Sequence, residues 1–440
     1  MIEIETTTEK IESKGGLYLA GIISQKIGIT GITSGVLPGA AKVITSLLVG
    51  MIQGHSSFES VRSGYNDNFY NDSFGLNFNY SADTVRLYLE QLADEDRLGI
   101  IRQLRGTTLN LIEKAPLTGI RIRKKTYIPV DIDTSPMDNS KTKKEGVSYT
   151  YKKFVGYHPI FAYIGKEGYM LDNELRPGSQ HCQEGTPEFI RLLMGRLPNK
   201  LSSLPLLFRL DSGNDSIDTI KALFNDTNAK SRFLIMKRNN RRESGEEWLE
   251  YAQAHGKGKQ ERAGKVVWTG HAYDIHPEGF SKIHCVYEIT ERTIDEYGNP
   301  LLIHDIEVNT FWTNLSYAVE TVIKLYHDHG TSEQYHSELK HDMDIERLPS
   351  GKFNVNELYL MIGMNAYNVL RFIGQSAKAI KAAIPIKSHS LRMRLGKVIQ
   401  NIIGIAIKYV SHAGKKIIRI WEDNPWRQLF INLDATFQHW

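Results

Sequence analysis

Seven residues, Tyr127-Ile-Pro-Val-Asp-Ile-Asp133, constrain this chain more than any other stretch. A strand turns successive side chains to opposite faces, so Ile128, Val130 and Ile132 share one face and Asp131 and Asp133 the other. Two carboxylates on a half-apolar strand are costly to bury unless something positive sits opposite. A divalent metal is the simplest partner, with polar capping of a strand end as the alternative. A further acid ends the apolar run Leu204-Pro-Leu-Leu-Phe-Arg-Leu-Asp211; a turn at Gly213 and a helix capped by Asn214 or Asp215 follow.

A third acid, Glu333, lies in Tyr326-His-Asp-His-Gly-Thr-Ser-Glu-Gln-Tyr-His-Ser-Glu-Leu-Lys340. Gly330 reads as a helix stop and Thr331-x-x-Gln334 as a capping-box start. Two helices are therefore expected to meet at Gly330, with Glu333 in the first turn of the second, where the helix dipole favours an anion. Three- and four-residue steps then put Glu333, His336 and Lys340 on one stripe.

The remaining chain fills in around these points. Residues 1–118 read as helical, with Ala40–Met51 apolar and Ser81 capping a helix that buries Val85, Leu89 and Leu92. The exposed Ser/Asp/Thr/Arg start of that helix fits either a helix-turn-helix that enters the DNA major groove or a plain bundle. A basic patch, Arg121, Arg123, Lys124 and Lys125, precedes the first acidic strand. Strands are expected over His158–Gly165 and Tyr169–Leu175, a helix over Pro187–Leu197 and a strand over Phe233–Met236. Residues 239 to about 262 are polar without periodicity, and Lys265 to Trp312 read as β. Helices resume at Ser316. Between Arg371 and Ile420 there are eleven Lys and Arg and no Asp or Glu, which points to a basic helical region that contacts phosphate.

Composition sets outer limits. The net charge of +4 is too mild to argue for nucleic acid by itself. Cys182 and Cys285 are far apart and form no CxxC pair, which excludes a disulfide framework and a structural zinc site. The polar, acidic start carries no secretory signal, and no apolar run reaches the ~18 residues of a membrane span. A soluble cytoplasmic protein without membrane contact is the expectation.

The order of these pieces is that of an α/β fold of the ribonuclease H-like kind: a core over 119–238, a β-rich insertion over 239–315 between the second and third acids, and the core's second part over 316–370. Helical regions over 1–118 and 371–440 flank it. Within that order the chain resembles the DDE transposases of bacterial insertion sequences. The class it matches carries its last acid in a Tyr-(2)-Arg-(3)-Glu-(6)-Lys signature. Here Tyr326, His329, Glu333 and Lys340 keep the spacing, with His in place of Arg. Val130-Asp-Ile-Asp-Thr134 is similar to that class's first-acid strand and Arg209-Leu-Asp-Ser-Gly213 to its second. Gly156-Tyr-His-Pro159 and Leu175-Arg-Pro-Gly178 resemble the insertion sequence 1380 family, a group related to piggyBac.

The resemblance implies that Asp133, Asp211 and Glu333 are catalytic and hold two Mg²⁺ or Mn²⁺ ions, with Asp131 an alternative to Asp133. Two such ions, roughly 3.5–4 Å apart, stabilise the attacking and leaving oxygens of phosphodiester cleavage. It implies that Tyr326 and Lys340 touch the phosphates of the transposon end, and that His329 is a weaker substitute for an arginine fork. Trp312 becomes the candidate for stacking on a flipped base. The implied partners are double-stranded DNA, as terminal inverted repeats and target, and a second copy in a homodimeric DNA complex. The implied reaction is metal-dependent excision through a hairpin, then strand transfer. A transposase-derived DNA-binding protein without catalysis, or a nuclease of the same fold, are the alternatives.

Overall fold

The computed structural model describes residues 10–225, 229–295, 297–380, 383–385 and 390–440. Nine strands carry the argument: β1 Lys125–Thr134, β2 Ile160–Ile164, β3 Tyr169–Glu174, β4 Leu206–Leu210, β5 Arg232–Lys237, β6 Lys257–Arg262, β7 Lys265–Ala272, β8 His284–Ile294 and β9 Pro300–Thr313. All lie in one mixed sheet, in the order β6-β7-β8-β9-β5-β4-β1-β2-β3, and the short strand Ile120–Ile122 folds back on β1. β1, β4 and β5 run parallel to one another; every other pairing is antiparallel. The strands expected after β5 do not form a separate body. Phe311, Trp312 and Thr313 of β9 pair with Lys237, Met236 and Ile235, so the insertion extends the core sheet.

Parallel strands are covered on both faces, which is why every residue of β4 is buried and all but Arg209 are apolar. On one face, Leu206, Phe208 and Leu210 join the core with α6 (Thr186–Arg196) and α7 (Ile217–Phe224). On the other, Leu207 and Ile235 pack against Val319, Val322, Ile323 and Leu325 of α9 (Val319–His327). Alternation puts Asp131, Asp133 and Asp211 on this second face. α7 is capped by Ser216, which accepts from Thr219 N at 3.1 Å, and not by Asn214 or Asp215.

The helical expectation for the amino-terminal part holds: α1 (Leu17–Ile27), α2 (Ala40–Ile52), α3 (Asn68–Phe74), α4 (Ala82–Glu95) and α5 (Arg97–Lys114). Ser81 caps α4 through Thr84 N at 3.2 Å, and Val85, Leu89 and Leu92 are buried. Its exposed positions include Asp83, Asp94 and Glu95, and Arg86 pairs with Glu90 at 3.0 Å. Lys352 ties Glu90 and Asp94 to the head of the 27-residue helix Phe353–Ala379. That long helix packs against β3, α2, α4 and α5, which puts helices and sheet in one continuous core.

The basic stretch 371–420 is not one long helix. After Ala379 it gives short helical turns at 395–403 and a hairpin, Ile407–His412 with Lys415–Ile420. Several of its cations already have acids: Arg371 and Arg392 hold Glu338, Arg394 holds Asp342 and Lys416 holds Asp72. Lys381 and Lys387 lie outside the described residues.

The outer edge of the sheet, β6, reads Lys-Gly-Lys-Gln-Glu-Arg and is exposed at every position.

Candidate active site

β1 and β4 are neighbours in parallel register, with Asp131 opposite Arg209 and Ile132 opposite Leu210. This pairing decides between the two acids of β1. Asp131 is 2 % exposed and Arg209 3 %. The guanidinium grips the carboxylate with both ends, Nε to Oδ1 at 2.6 Å and Nη2 to Oδ2 at 2.7 Å. Arg209 Nη1 also donates to Leu325 O at 3.0 Å, near the end of α9. His329 Nδ1 stands 3.0 Å from Asp131 Oδ1. Burial pushes the Asp131 carboxyl up, but Arg209 and His329 outweigh it and hold it below the ordinary range. Burial alone would lower His329, yet Asp131 raises it. The positive group opposite Asp131 is therefore protein, and not metal.

Asp133 keeps a fifth of its side chain open. Its Oδ1 accepts from Thr134 N at 2.8 Å, and His336 Nε2 lies 3.6 Å from Oδ2, too long for a hydrogen bond. Against burial, His336 and His329 hold Asp133 low. Burial in turn keeps His336 low, and its Nδ1 pairs with the Tyr163 hydroxyl at 3.2 Å. The contribution of His336 to Asp133 is thus a dipole more than a charge.

Asp211 follows β4 at the carboxyl ends of the parallel strands, where α/β sheets bind their ligands. Asn214 Nδ2 donates to its Oδ1 at 2.6 Å. Gly213 leaves room that no side chain could share: a Cβ there would lie 2.4 Å from Cys182 Sγ. Burial raises Asp211, and the negative charge of Asp133 raises it further. Asp133 and Asp211 thus form an acid pair in which one ionises readily and the other holds its proton longer.

Glu333 stands exposed in the first turn of α10 (Thr331–Ser337). The junction before it differs from the expectation. Gly330 has φ −55°, within the right-handed region, so a tight turn over Asp328–Gly330 carries α9 into α10 without a stop. Thr331 donates to Asp328 O at 2.9 Å and makes no capping box. The helix ends in a wider turn over Glu338–Asp342. Tyr151, on the surface and without a sequence signal of its own, is pushed up to about 12 by partial desolvation of its phenol and by Asp133, Asp211, Cys182 and Glu333. One phenol thus feels all three acids. Glu333 also lines a groove of about 1670 Å³ with Arg392, Arg394 and Lys397. Among the described residues no three His, Cys, Asp or Glu are drawn together closely enough to form a metal cage.

Of the other expected residues, Tyr326 borders the acids: burial, then Asp211 and Asp133, push its phenol up, and its ring packs on Phe311 with centroids 4.8 Å apart. Lys340 donates to Pro136 O and is lowered to about 8 by burial. His329 is buried against Asp131 and does not stand free to fork a phosphate. Trp312 is not an exposed stacking platform. It is 8 % exposed, with Nε1 donating to Asp215 Oδ1 at 3.0 Å and the Arg238 guanidinium 4.4 Å above its ring. Arg121, Arg123, Lys124 and Lys125 are exposed, but at the far end of β1. Eight residues of strand separate Lys125 from Asp133, about 26 Å at roughly 3.3 Å each.

The Asp133–Asp211 pair suits a divalent cation of the Mg²⁺ or Mn²⁺ type. Its donors are hard carboxylate oxygens, and the repulsion that raises Asp211 is what such a charge would relieve.

A site of acids at the carboxyl ends of parallel strands stands where α/β enzymes bind their ligands, and comparison with known proteins makes the class specific. The model of the family described as transposase DDE domain group 1 matches residues 101–439. The chain belongs to that family: it is a DDE transposase, of the group that serves DNA transposition and recombination. No curated protein matches it. Among solved structures, a cryo-electron-microscopy structure of the piggyBac transposase synaptic complex with hairpin DNA is similar at 10% identity and a TM-score of 0.45, over 89% of this chain and 80% of that one. Among the described residues no helix is long and apolar enough to cross a membrane.

Proposed function

We propose that this transposase moves a bacterial insertion sequence by cut and paste, with Asp133, Asp211 and Glu333 as its catalytic acids. The observation that carries the reading is the Asp133–Asp211 pair, two carboxylates whose charges act on one another at the ends of adjacent parallel strands. The strand order β3-β2-β1-β4-β5, with only β2 running against the other four, supports a ribonuclease H-like core. Family membership supports divalent-metal dependence. A Mg²⁺ or Mn²⁺ pair bound there would stabilise the charge on the attacking and leaving oxygens. Asp133 and Asp211 would hold it from the sheet, and Glu333 would complete the set from α10.

The protein's own groups then divide the work. Asp133, held low, is ionised at neutral pH and ready to bind, while a cation at the pair would offset the repulsion that raises Asp211. Tyr326, packed on Phe311 beside both acids, presents an un-ionised hydroxyl for a phosphate oxygen. Lys340, lowered to about 8 by burial, is only partly relieved of its proton at physiological pH and adds positive charge close to Asp133. Water enters to cut one strand at the element's end. The freed 3′-hydroxyl attacks the opposite strand to give a hairpin, a second water opens it, and the 3′-hydroxyl then attacks target DNA. A homodimer would bring two such sites to the two element ends.

The test is Mg²⁺-dependent nicking of a duplex that carries the element's terminal repeats. Asp133→Ala, Asp211→Ala and Glu333→Ala should each abolish nicking and leave duplex binding largely intact. If two of the three cut normally, the assignment is wrong. A wild-type protein that binds the repeats but never nicks them would support the non-catalytic reading instead.

A further inference from the structure

A second pocket opens one strand away from Asp211. Its volume is about 360 Å³, and Ser212, Lys237, Asn239, Asn240 and Arg241 bound it, with Arg238, Glu243, Ile306 and Val308 in its wall. β4 and β5 are parallel, with Leu210 opposite Met236, so the next residues, Asp211 and Lys237, come out level. Both follow residues that point into the opposite face, so both face the side where the acids lie.

The cations of this pocket fall into two kinds. Arg238 is structural: it pairs with Glu243 at 2.6 Å, donates to Thr310 Oγ1 at 3.3 Å and lies over Trp312. Lys237 and Arg241 have no ion pair or side-chain hydrogen bond among the described residues. Arg241 is exposed, and its backbone N–H is turned onto Asn239 Oδ1 at 3.3 Å. Two cations without ion pairs, the Asn239 amide and the Ser212 hydroxyl bound one concavity in which Glu243 is held by Arg238 and the Asn240 amide is bonded to Val308 O and Thr310 Oγ1, and together they make a seat for an anion with several oxygens.

Its distance from Asp211 indicates which anion. Adjacent strands lie about 4.8 Å apart, and each DNA strand carries one phosphate per about 3.4 Å of rise. A backbone whose reacting phosphate lay against Asp133 and Asp211 would thus bring a neighbouring phosphate over Lys237. We propose that this pocket seats a phosphodiester of the DNA strand next to the one under attack, with Lys237 and Arg241 as its cations. The proposal rests on the transposase reading above and adds a binding site that fixes where along the strand the cut falls.

The experiment uses the full-length protein and a fluorescein-labelled duplex of one terminal repeat. Binding is followed by anisotropy in EDTA across a KCl series, and nicking in Mg²⁺ is followed separately. Each neutralised phosphate contributes about −0.9 to the slope of log K against log salt. Lys237→Ala and Arg241→Ala should each make that slope shallower, and the double variant by about 1, the share of one phosphate, with affinity several-fold weaker. The duplex concentration that half-saturates nicking should rise, and Lys237→Arg should restore binding. Arg191→Ala, on α6 across the sheet, should leave the slope unchanged. Arg241 is exposed, so its variant tests the idea even if a change at Lys237 upset folding. An unchanged slope in the double variant, or an equal loss in Arg191→Ala, overturns the seat. If Asp133→Ala abolishes nicking in that same set, the transposase reading survives its loss; if the wild-type protein neither nicks nor binds with salt dependence, both fall together.

Discussion

The clearest demand the structure makes concerns Asp131. Its carboxylate is 2 % exposed, gripped at both oxygens by an equally buried guanidinium and approached by His329. Asp131→Asn keeps the shape and removes the charge, leaving the buried Arg209 guanidinium without a counter-charge and His329 without the group that raises it. Breaking one side of a buried pair in this way costs about 3–5 kcal/mol. Arg209→Met should cost a similar amount, because it strands the carboxylate and releases Leu325 O. The double variant should lose far less than the sum, with a coupling of at least about 2 kcal/mol, because no isolated charge is then left. The assay is urea unfolding followed by tryptophan fluorescence at pH 7, with the four proteins compared as a cycle. A cost under about 1 kcal/mol for Asp131→Asn, or additivity within about 0.5 kcal/mol, would refute the buried lock. The same variants separate the two acids of β1: below its melting range Asp131→Asn should still nick DNA with Mg²⁺, whereas Asp133→Asn should be inert yet stable.

Three further outcomes follow from the same geometry. Asp211 is raised in the folded protein, so its ionisation opposes folding above that raised value; Asp211→Asn should stabilise the metal-free protein at pH 7, with the gain fading as pH falls into the ordinary carboxylate range, as measured by urea midpoints between pH 4 and 8. His329 is raised by Asp131, so its contribution is fully present below about pH 6.5 and is lost as pH rises through the folded-state value; the stability gap between wild type and His329→Gln should shrink along that path, and a gap that widens with pH would sink the reading. Trp312→Ala should cost about 3–5 kcal/mol through lost packing and stranded partners, while DNA affinity measured below the melting range stays near wild type.

Local patterns were legible where one face of an element decides its residues. The alternation of β1, the apolar run of β4 and the turn at Lys166–Gly168 all follow from period-two burial and a glycine, here at φ +71°. The role of Arg209 was not legible, because it sits in the motif of Asp211 but serves Asp131, and only the parallel pairing of β1 with β4 joins them. Distance also hid the partners of the basic stretch: Glu338, Asp342 and Asp72 neutralise cations up to hundreds of residues away. Gly330 misled because residue type suggested a left-handed stop and the chain instead continues helically. The helix Gly245–His255 carried a readable signal that was overlooked, Ser244 with Glu247 three residues on, and Ser244 does accept from Glu247 N at 3.3 Å.

The wholly exposed outer strand Lys257–Arg262 also governs how the molecule behaves in a crowd. An open sheet edge is a template on which another chain can add a strand, the usual seed of aggregation. Here a second copy docking edge to edge would bring lysine and arginine side chains alongside their own kind, and the pairing would be repelled before its backbone bonds could form. A long sheet can therefore remain dispersed without a covering helix on that side, and partners must approach through its faces.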